Sequence, residues 1–152
     1  MKIDTQFSIF LINEPGVLAR VSSALADAKV NIVAMALMDS GEHGTLRIVC
    51  DDTAKTRQVL GKAHDRWTES DVVLVELDNK PGSFAAISRK LATEHVNITY
   101  AYCTGGAYGG KTTATFKLAD PAKAMKVLAY LDKKPKRKST PRRVAKATRS
   151  KK

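Results

Sequence analysis

Nowhere does the chain hold the roughly 18–20 consecutive apolar residues that cross a bilayer, so membrane insertion is not expected. Cysteine is scarce too. Cys50 and Cys103 are the only two, each alone within apolar alternation, and both are expected to be reduced, buried and structural. The three histidines, His43, His64 and His95, show no i,i+4 pairing and no nearby cysteine pair, which leaves no zinc site to assemble. No Ser/His/Asp or Cys/His constellation emerges from local motifs. The expectation is a non-catalytic protein with no metal and no cofactor. An export signal is also missing from the pattern, since Met1-Lys2-Ile3-Asp4-Thr5-Gln6 is polar and leads directly into a strand. A soluble, cytoplasmic protein is expected.

Acidic residues are missing from one region only. The formal net charge is +11, yet residues 1–132 hold 15 Lys/Arg against 15 Asp/Glu. The excess lies in residues 133–152, with 11 cations and no acid: Lys133, Lys134, Lys136, Arg137, Lys138, Arg142, Arg143, Lys146, Arg149, Lys151 and Lys152. Pro135 and Pro141 interrupt any helix there, and Val144 is the one sizeable apolar residue. Such a segment buries too little surface to offset its ordering entropy, so a disordered basic tail is expected. The chain-wide hydrophobic fraction of 43 % is ample for a core in the remainder.

What the neutral part contains is a repeat. Asn13-Glu14-Pro15-Gly16 and its continuation to Ile32 recur from Asn79 to Ile98, 66 residues later, with ten of 20 aligned positions identical. Exchanges such as Leu18/Phe84 and Val21/Ile87 keep the apolar character. The two stretches are a duplication.

Each copy has the same plan. Gln6–Ile12 and Val72–Leu77 are short apolar runs closed by Asn-x-Pro-Gly, a strand followed by a turn. Proline sets φ in that turn and glycine permits its tightness. Val17, Leu18, Val21, Leu25 and Ala28 then share one helical face, as do Phe84, Ile87, Leu91 and His95. Val30-Asn31-Ile32 and Val96-Asn97-Ile98 restart extended structure. Hairpins follow, Ile32–Met38 with Leu46–Cys50 and Ile98–Cys103 with Thr112–Leu118. Second helices open at Asp52-Thr53 and at Asp120-Pro121, where Asp caps and Pro takes the first helical position. Trp67–Asp71 makes a short last strand for the first copy. The second copy shows no last strand before the tail. That edge is left open, covered by a partner subunit, or filled by a pairing not evident in the sequence, and an open edge favours a homodimer.

Strand, Asn-x-Pro-Gly turn, helix, Val-Asn-Ile, hairpin, helix and strand, twice in one register, resemble the ACT domain over residues 4–131. The Asp39…Gly44-Thr45-Leu46-Arg47 hairpin and the Asn97-Ile98-Thr99-Tyr100-Ala101-Tyr102 strand are similar to small stand-alone proteins built of two such domains. The resemblance implies an α+β fold of two tandem ferredoxin-like βαββαβ modules with antiparallel sheets, at residues 1–71 and 72–132, with the tail at 133–152. It also implies amino-acid sensing rather than catalysis. An RNA-recognition motif shares this element order but needs aromatic pairs on its central strands. Leu46–Cys50 and Thr112–Lys117 lack them, and only Tyr100 and Tyr102 offer a pair. The Gly105–Thr112 stretch superficially resembles a phosphate loop but joins two hairpin strands, with no helix N-terminus after it.

A free amino acid is a zwitterion, so its site must offer donors to a carboxylate and acceptors to an ammonium. The backbone N–H groups of Val17-Leu18 and Ser83-Phe84, left unshielded by Gly16 and Gly82, are placed to hold the carboxylate. Asn13 or Asn79 can offer an amide oxygen to the ammonium. Candidate ligand residues are therefore Asn13, Glu14, Pro15, Gly16, Val17 and Leu18, with Asn79, Lys80, Pro81, Gly82, Ser83 and Phe84. ACT ligands lie between this loop and the second strand of a neighbouring module, so the resemblance adds Asn31, Ile32, Asn97 and Ile98. A plain structural reading stands beside this one. Asn-x-Pro-Gly is a good turn, Asn31 and Asn97 suit a helix-to-strand corner, and Arg20 suits a solvated helix face. Glu14 and Lys80 occupy equivalent places with opposite charge, so the copies are expected to differ in affinity or preference.

The tail supports an alternative reading as a nucleic-acid-associated protein. Its 11 cations can neutralise several phosphates, giving salt-dependent binding with little sequence preference.

Overall fold

Apolar and polar residues alternate along Lys2–Ile12 and along Trp67–Asp78, and each segment forms one unbroken strand, β1 and β4. Between them run helix α1 (Val17–Asp27), the hairpin β2 (Ile32–Ser40) and β3 (His43–Cys50), and helix α2 (Thr53–Ala63). After β4 the plan repeats as α3 (Ser83–Thr93), β5 (Ile98–Cys103), β6 (Lys111–Leu118) and α4 (Pro121–Leu128), ending in a 3₁₀ turn over Ala129–Lys133. The computed structural model describes residues 1–63 and 66–133. The expected caps form, with Asp52 accepting from the Lys55 amide at 2.9 Å and Asp120 from that of Lys123 at 2.8 Å. No helix among the described residues is long and apolar enough to cross a membrane.

The expected last strand of the first copy and first strand of the second are one element, because no turn residue separates Asp71 from Val72. All six strands join in a single antiparallel sheet, in the order β2-β3-β1-β4-β6-β5. β1 pairs with β4 from Lys2 opposite Leu74 to Ile9 opposite Trp67. Within this ladder Thr5 faces Asp71, its own equivalent 66 residues on, so a local twofold axis passes between them. The place of the strand that the second copy lacks is thereby taken by Lys2–Thr5. Each long strand begins as the fourth strand of one module and continues as the first strand of the other.

All four helices lie on one face. Phe7, Ile9 and Leu11 of β1 with Leu46 and Ile48 of β3 pack under Val21 and Leu25 of α1 and Leu60 of α2. Val73, Val75 and Leu77 of β4 with Phe116 and Leu118 of β6 pack under Ile87 and Leu91 of α3 and Leu128 of α4. Each such fully buried side chain contributes roughly 1.5–3 kcal/mol relative to exposure.

The opposite face is also closed. Ala34, Val49, Val72 and Leu74 form a third buried cluster, against which Tyr102 packs. Gln6 is 0 % exposed there. Its Nε2 donates to the Tyr100 hydroxyl at 2.6 Å, and the Tyr102 hydroxyl donates to its Oε1 at 3.1 Å. β5 and β1 are three strand spacings apart, about 14 Å in a flat sheet, so the sheet must curl for these groups to meet. Arg47 of β3 completes the clasp, its guanidinium carbon 3.8 Å from the centre of the Tyr100 ring. The clasp runs one way. The aligned positions of Tyr100 and Tyr102 in the first copy are Ala34 and Ala36, and that of Gln6 in the second is Val72.

Burial pushes the Tyr102 phenol from its ordinary value of 10.0 up to about 12. A raised folded value means that the unfolded chain ionises first, so the contribution is complete below pH 10 and fades towards pH 12. Denaturation midpoints are expected to hold up to pH 10 and then fall, and Tyr102→Phe is expected to flatten that fall. The same substitution should lower stability at neutral pH by about 1–3 kcal/mol, because buried Gln6 loses a donor. An identical pH profile in Tyr102→Phe would remove Tyr102 from this role.

One expectation fails. Cys50 is buried and Cys103 is exposed. Alternation looks the same on a central strand and an edge strand, and Cys103 ends β5, one of the two edge strands.

Candidate ligand-binding site

The two Asn-x-Pro-Gly turns adopt one geometry. Gly16 has φ 87° and ψ −13°, and Gly82 has φ 86° and ψ −13°. This left-handed region strains any residue bearing a Cβ. The Glu14 and Lys80 amides turn back onto the Ile12 and Asp78 carbonyls, both at 2.9 Å. Those of Val17 and Ser83 reach the Glu14 and Lys80 carbonyls at 3.4 and 3.3 Å. Helical bonding begins with Arg20 to Gly16 and Ala86 to Gly82. Among the described residues the N–H groups of Leu18, Ala19, Phe84 and Ala85 therefore meet no backbone acceptor, and neither helix has a side-chain cap. Such a terminus carries about half a positive charge and favours an anion.

The asparagines tie each turn to the tip of its own hairpin. Asn13 Nδ2 donates to the Gly41 carbonyl at 3.2 Å, and Asn79 Nδ2 to those of Gly106 and Ala107 at 2.8 and 3.1 Å. Their amide nitrogens are thus committed to the fold. At the second turn a cleft of about 280 Å³ lies between Asn79-Lys80, Ser83-Phe84 and the end of β5 at Cys103-Thr104. Phe84 closes part of it, stacked on Phe116 with ring centres 5.2 Å apart.

Asn31-Ile32 and Asn97-Ile98 stand at the other end of their modules. The Asn31 amide donates to the Asp51 carboxylate at 2.9 Å and its carbonyl accepts from the Asp51 amide at 3.0 Å, while the Asn97 carbonyl accepts from Ala119 at 3.2 Å. The nine residues of β2 separate Asn31 from the hairpin tip that Asn13 holds, a span of about 26–30 Å. Within the sheet the modules pair through β1 and β4, which leaves β2 and β5 as the outer edges. Among the described residues neither Asn-x-Pro-Gly turn lies against the second strand of the other module.

Two features escaped sequence reasoning, the tyrosine clasp and a cavity beside each turn. The first had a signal, since the columns Ala34/Tyr100, Ala36/Tyr102 and Gln6/Val72 reverse size between copies. The second depends on where strands overlap. Among the described residues no group of three His, Cys, Asp or Glu gathers to hold a metal. His64 lies outside the described residues, as do Lys134, Lys136, Arg137, Lys138, Arg142, Arg143, Lys146, Arg149, Lys151 and Lys152 of the tail.

A family model described as an ACT domain pair matches residues 1–135. No curated protein sequence matches the chain. A crystal structure of a protein from Bacteroides thetaiotaomicron is similar at 28 % identity and a TM-score of 0.77, covering 86 % of this chain and 89 % of that one. The ligand-free regulatory subunit of aspartate kinase from Thermus thermophilus shares the fold at 15 % identity and a TM-score of 0.62, covering 85 % and 94 %. E. coli aspartokinase III in complex with lysine and aspartate shares it at 19 % identity and a TM-score of 0.53, covering 88 % of this chain and 31 % of that enzyme.

Proposed function

Since the chain belongs to the ACT domain pair family, a regulatory module without catalytic machinery, we propose that it senses a free amino acid at an interface between two copies of itself. The observation that carries this reading is the twin turn, with glycine at φ 87° and 86° and open N–H groups behind it. Leu18 and Ala19, or Phe84 and Ala85, hold the carboxylate, with the flanking residues of Asn13–Val17 and Asn79–Ser83 shaping the loop. The Asn13 or Asn79 amide oxygen meets the ammonium. Asn31-Ile32 or Asn97-Ile98 of the second copy covers the ligand. Glu14 and Lys80, opposite in charge, give the two sites different preferences. Aspartokinase III, whose fold this chain shares, was determined with lysine and aspartate, which supports the ligand class.

β2 supports the dimer. Its outer edge pairs with nothing among the described residues, and Ile32–Met38 carries no charge, proline or bulky polar group to block another strand. Met35 and Leu37 are 47 and 51 % exposed beside it. A thermal-shift screen of the common amino acids tests the function. Stabilisation by one or a few at millimolar concentration is expected, and none by any would sink the reading.

A second reading rests on the charge step at residue 133. The tail binds polyanions such as nucleic acid, cytoplasmic location being assumed, and affinity should fall steeply with salt. Deleting residues 134–152 without loss of DNA binding would dismiss it.

A further inference from the structure

The tyrosine clasp covers only the middle of the sheet face turned away from the helices. Phe7, Ile9 and Leu11 of β1 and Leu46 and Ile48 of β3 point towards the helices, so Phe10, Ile12, Thr45 and Arg47 alternate to this other face. Thr45 lies opposite both Phe10 and Met38, and Arg47 opposite both Ser8 and Ala36. Met38, Thr45 and Phe10 therefore form one row across three strands, with Ile12 on its outer side and Arg47 on its inner side. Phe10, Ile12 and Met38 are 43, 55 and 43 % exposed.

The duplication supplies a control at the other end of the same face. The local twofold sets Glu76, Asp78 and Thr104 at the places of Phe10, Ile12 and Met38, and Thr115 at that of Arg47. Lys111 Nζ lies 3.6 Å from Glu76 and 2.9 Å from Asp78, and Lys80 Nζ lies 3.1 Å from Asp78. That end suits water, with charges of both signs paired on its surface. The first end carries apolar side chains and a cation without a counter-charge. Arg47 donates through Nη1 to the Met38 sulfur at 3.2 Å, a weak acceptor. Its guanidinium lies over the Tyr100 ring, and its Nε is buried with no hydrogen-bond partner among the described residues.

We propose that this end of the face docks a helix of a partner protein, one with an apolar stripe and a carboxylate beside it. The apolar stripe covers Phe10, Ile12 and Met38, and the carboxylate meets the Arg47 guanidinium. Phenylalanine, methionine and arginine are types enriched where proteins meet. The row from Met38 to Phe10 spans two strand spacings, about 9.6 Å, close to the diameter of a helix with its side chains, about 10–12 Å. Charge decides among the occupants. The basic tail has no acid to offer in residues 133–152. A second copy laid patch on patch brings another Arg47 and no carboxylate. Nothing in this proposal depends on the amino-acid site.

The probe is a labelled amphipathic helical peptide with leucines on one stripe and glutamates beside it, followed by fluorescence anisotropy against the full-length protein. The ionic strength is about 0.15 M, which screens charges beyond about 8 Å. Saturable one-to-one binding is expected. Phe10→Thr, Ile12→Thr and Met38→Thr together add no charge and suit a strand, and they should weaken binding by at least about tenfold. The same peptide with glutamine for glutamate should bind the wild type at least about tenfold less tightly. Attraction of glutamate to the basic tail is common to both proteins and is what the triple variant retains. No binding, or equal binding to the wild type and the triple variant, overturns the proposal. A triple variant that binds the peptide as before but sediments as a smaller species assigns the patch to a second copy instead. If the triple variant does not fold, Ile12→Thr and Met38→Thr singly, both at exposed side chains, should each weaken binding about threefold, and no change in either overturns the proposal.

Discussion

Phe7→Ala is expected to lower stability by about 3–5 kcal/mol and to lower it for both modules together. Phe7 is 0 % exposed, lies in the core of the first module and meets the Trp67 ring at 5.6 Å. Removing it leaves a void that the close-packed strands and helices around it collapse into only partly. The second effect follows from the shared strands. β1 carries Phe7 and also pairs with β4 at Val72–Leu74, where the second module needs a neighbour. Loss of the first core therefore withdraws the fourth strand of the second. Fluorescence of Trp67, the single tryptophan, and far-ultraviolet circular dichroism over the whole chain should follow one transition in the wild type and in the variant, displaced but not split. Two separated transitions would show that the modules fold independently.

Substituting lysine at both Met35 and Leu37 is expected to weaken the proposed dimer by at least about 100-fold, near 2.7 kcal/mol. A symmetric pairing of β2 with its copy presents each residue twice. It therefore loses four half-exposed apolar side chains and gains four like charges at an edge where lysine discourages strand addition. The folded protomer should be little affected, since both side chains are about half exposed already. Sedimentation equilibrium should show a monomer, and stabilisation by the amino acid should disappear with the dimer, because Asn31-Ile32 of the second copy is no longer present at the turn. Retained ligand stabilisation in a monomeric variant would place the whole site within one chain. A wild type that is itself monomeric would reject the assembly.

Much of this arrangement was legible in the residues, for physical reasons that also mark the limit. Asn-x-Pro-Gly occurring twice announced the turns, since proline and glycine act on their own backbone, and Asp52 and Asp120 announced the caps. Helix faces followed from Val21/Leu25 and Ile87/Leu91. Strand exchange at Lys2–Thr5 was not legible, because an antiparallel partner 66 residues or more away leaves no local trace. The sequence left three readings for the edge of the second module, open, covered by a partner or filled by a pairing not evident there, and the structure shows the third. Tyr100 and Tyr102 showed as an aromatic pair without a partner, because Gln6 and Arg47 reach them only once the sheet curls. At the candidate site, Gly16 and Gly82 were legible and the separation of Asn13 from Asn31 was not. That separation depends on which strands end up outermost.

The one-way clasp has an evolutionary corollary. A duplication starts with identical halves, but these halves are no longer interchangeable. A chain made of two first modules would set Ala34 and Ala36 opposite their own copies and leave the curled face hollow. A chain made of two second modules would crowd two pairs of tyrosines into that space, with valine where each pair seeks an amide. Once large residues settled on one side and small ones on the other, the ancestral symmetry could not be restored by recombination between the repeats.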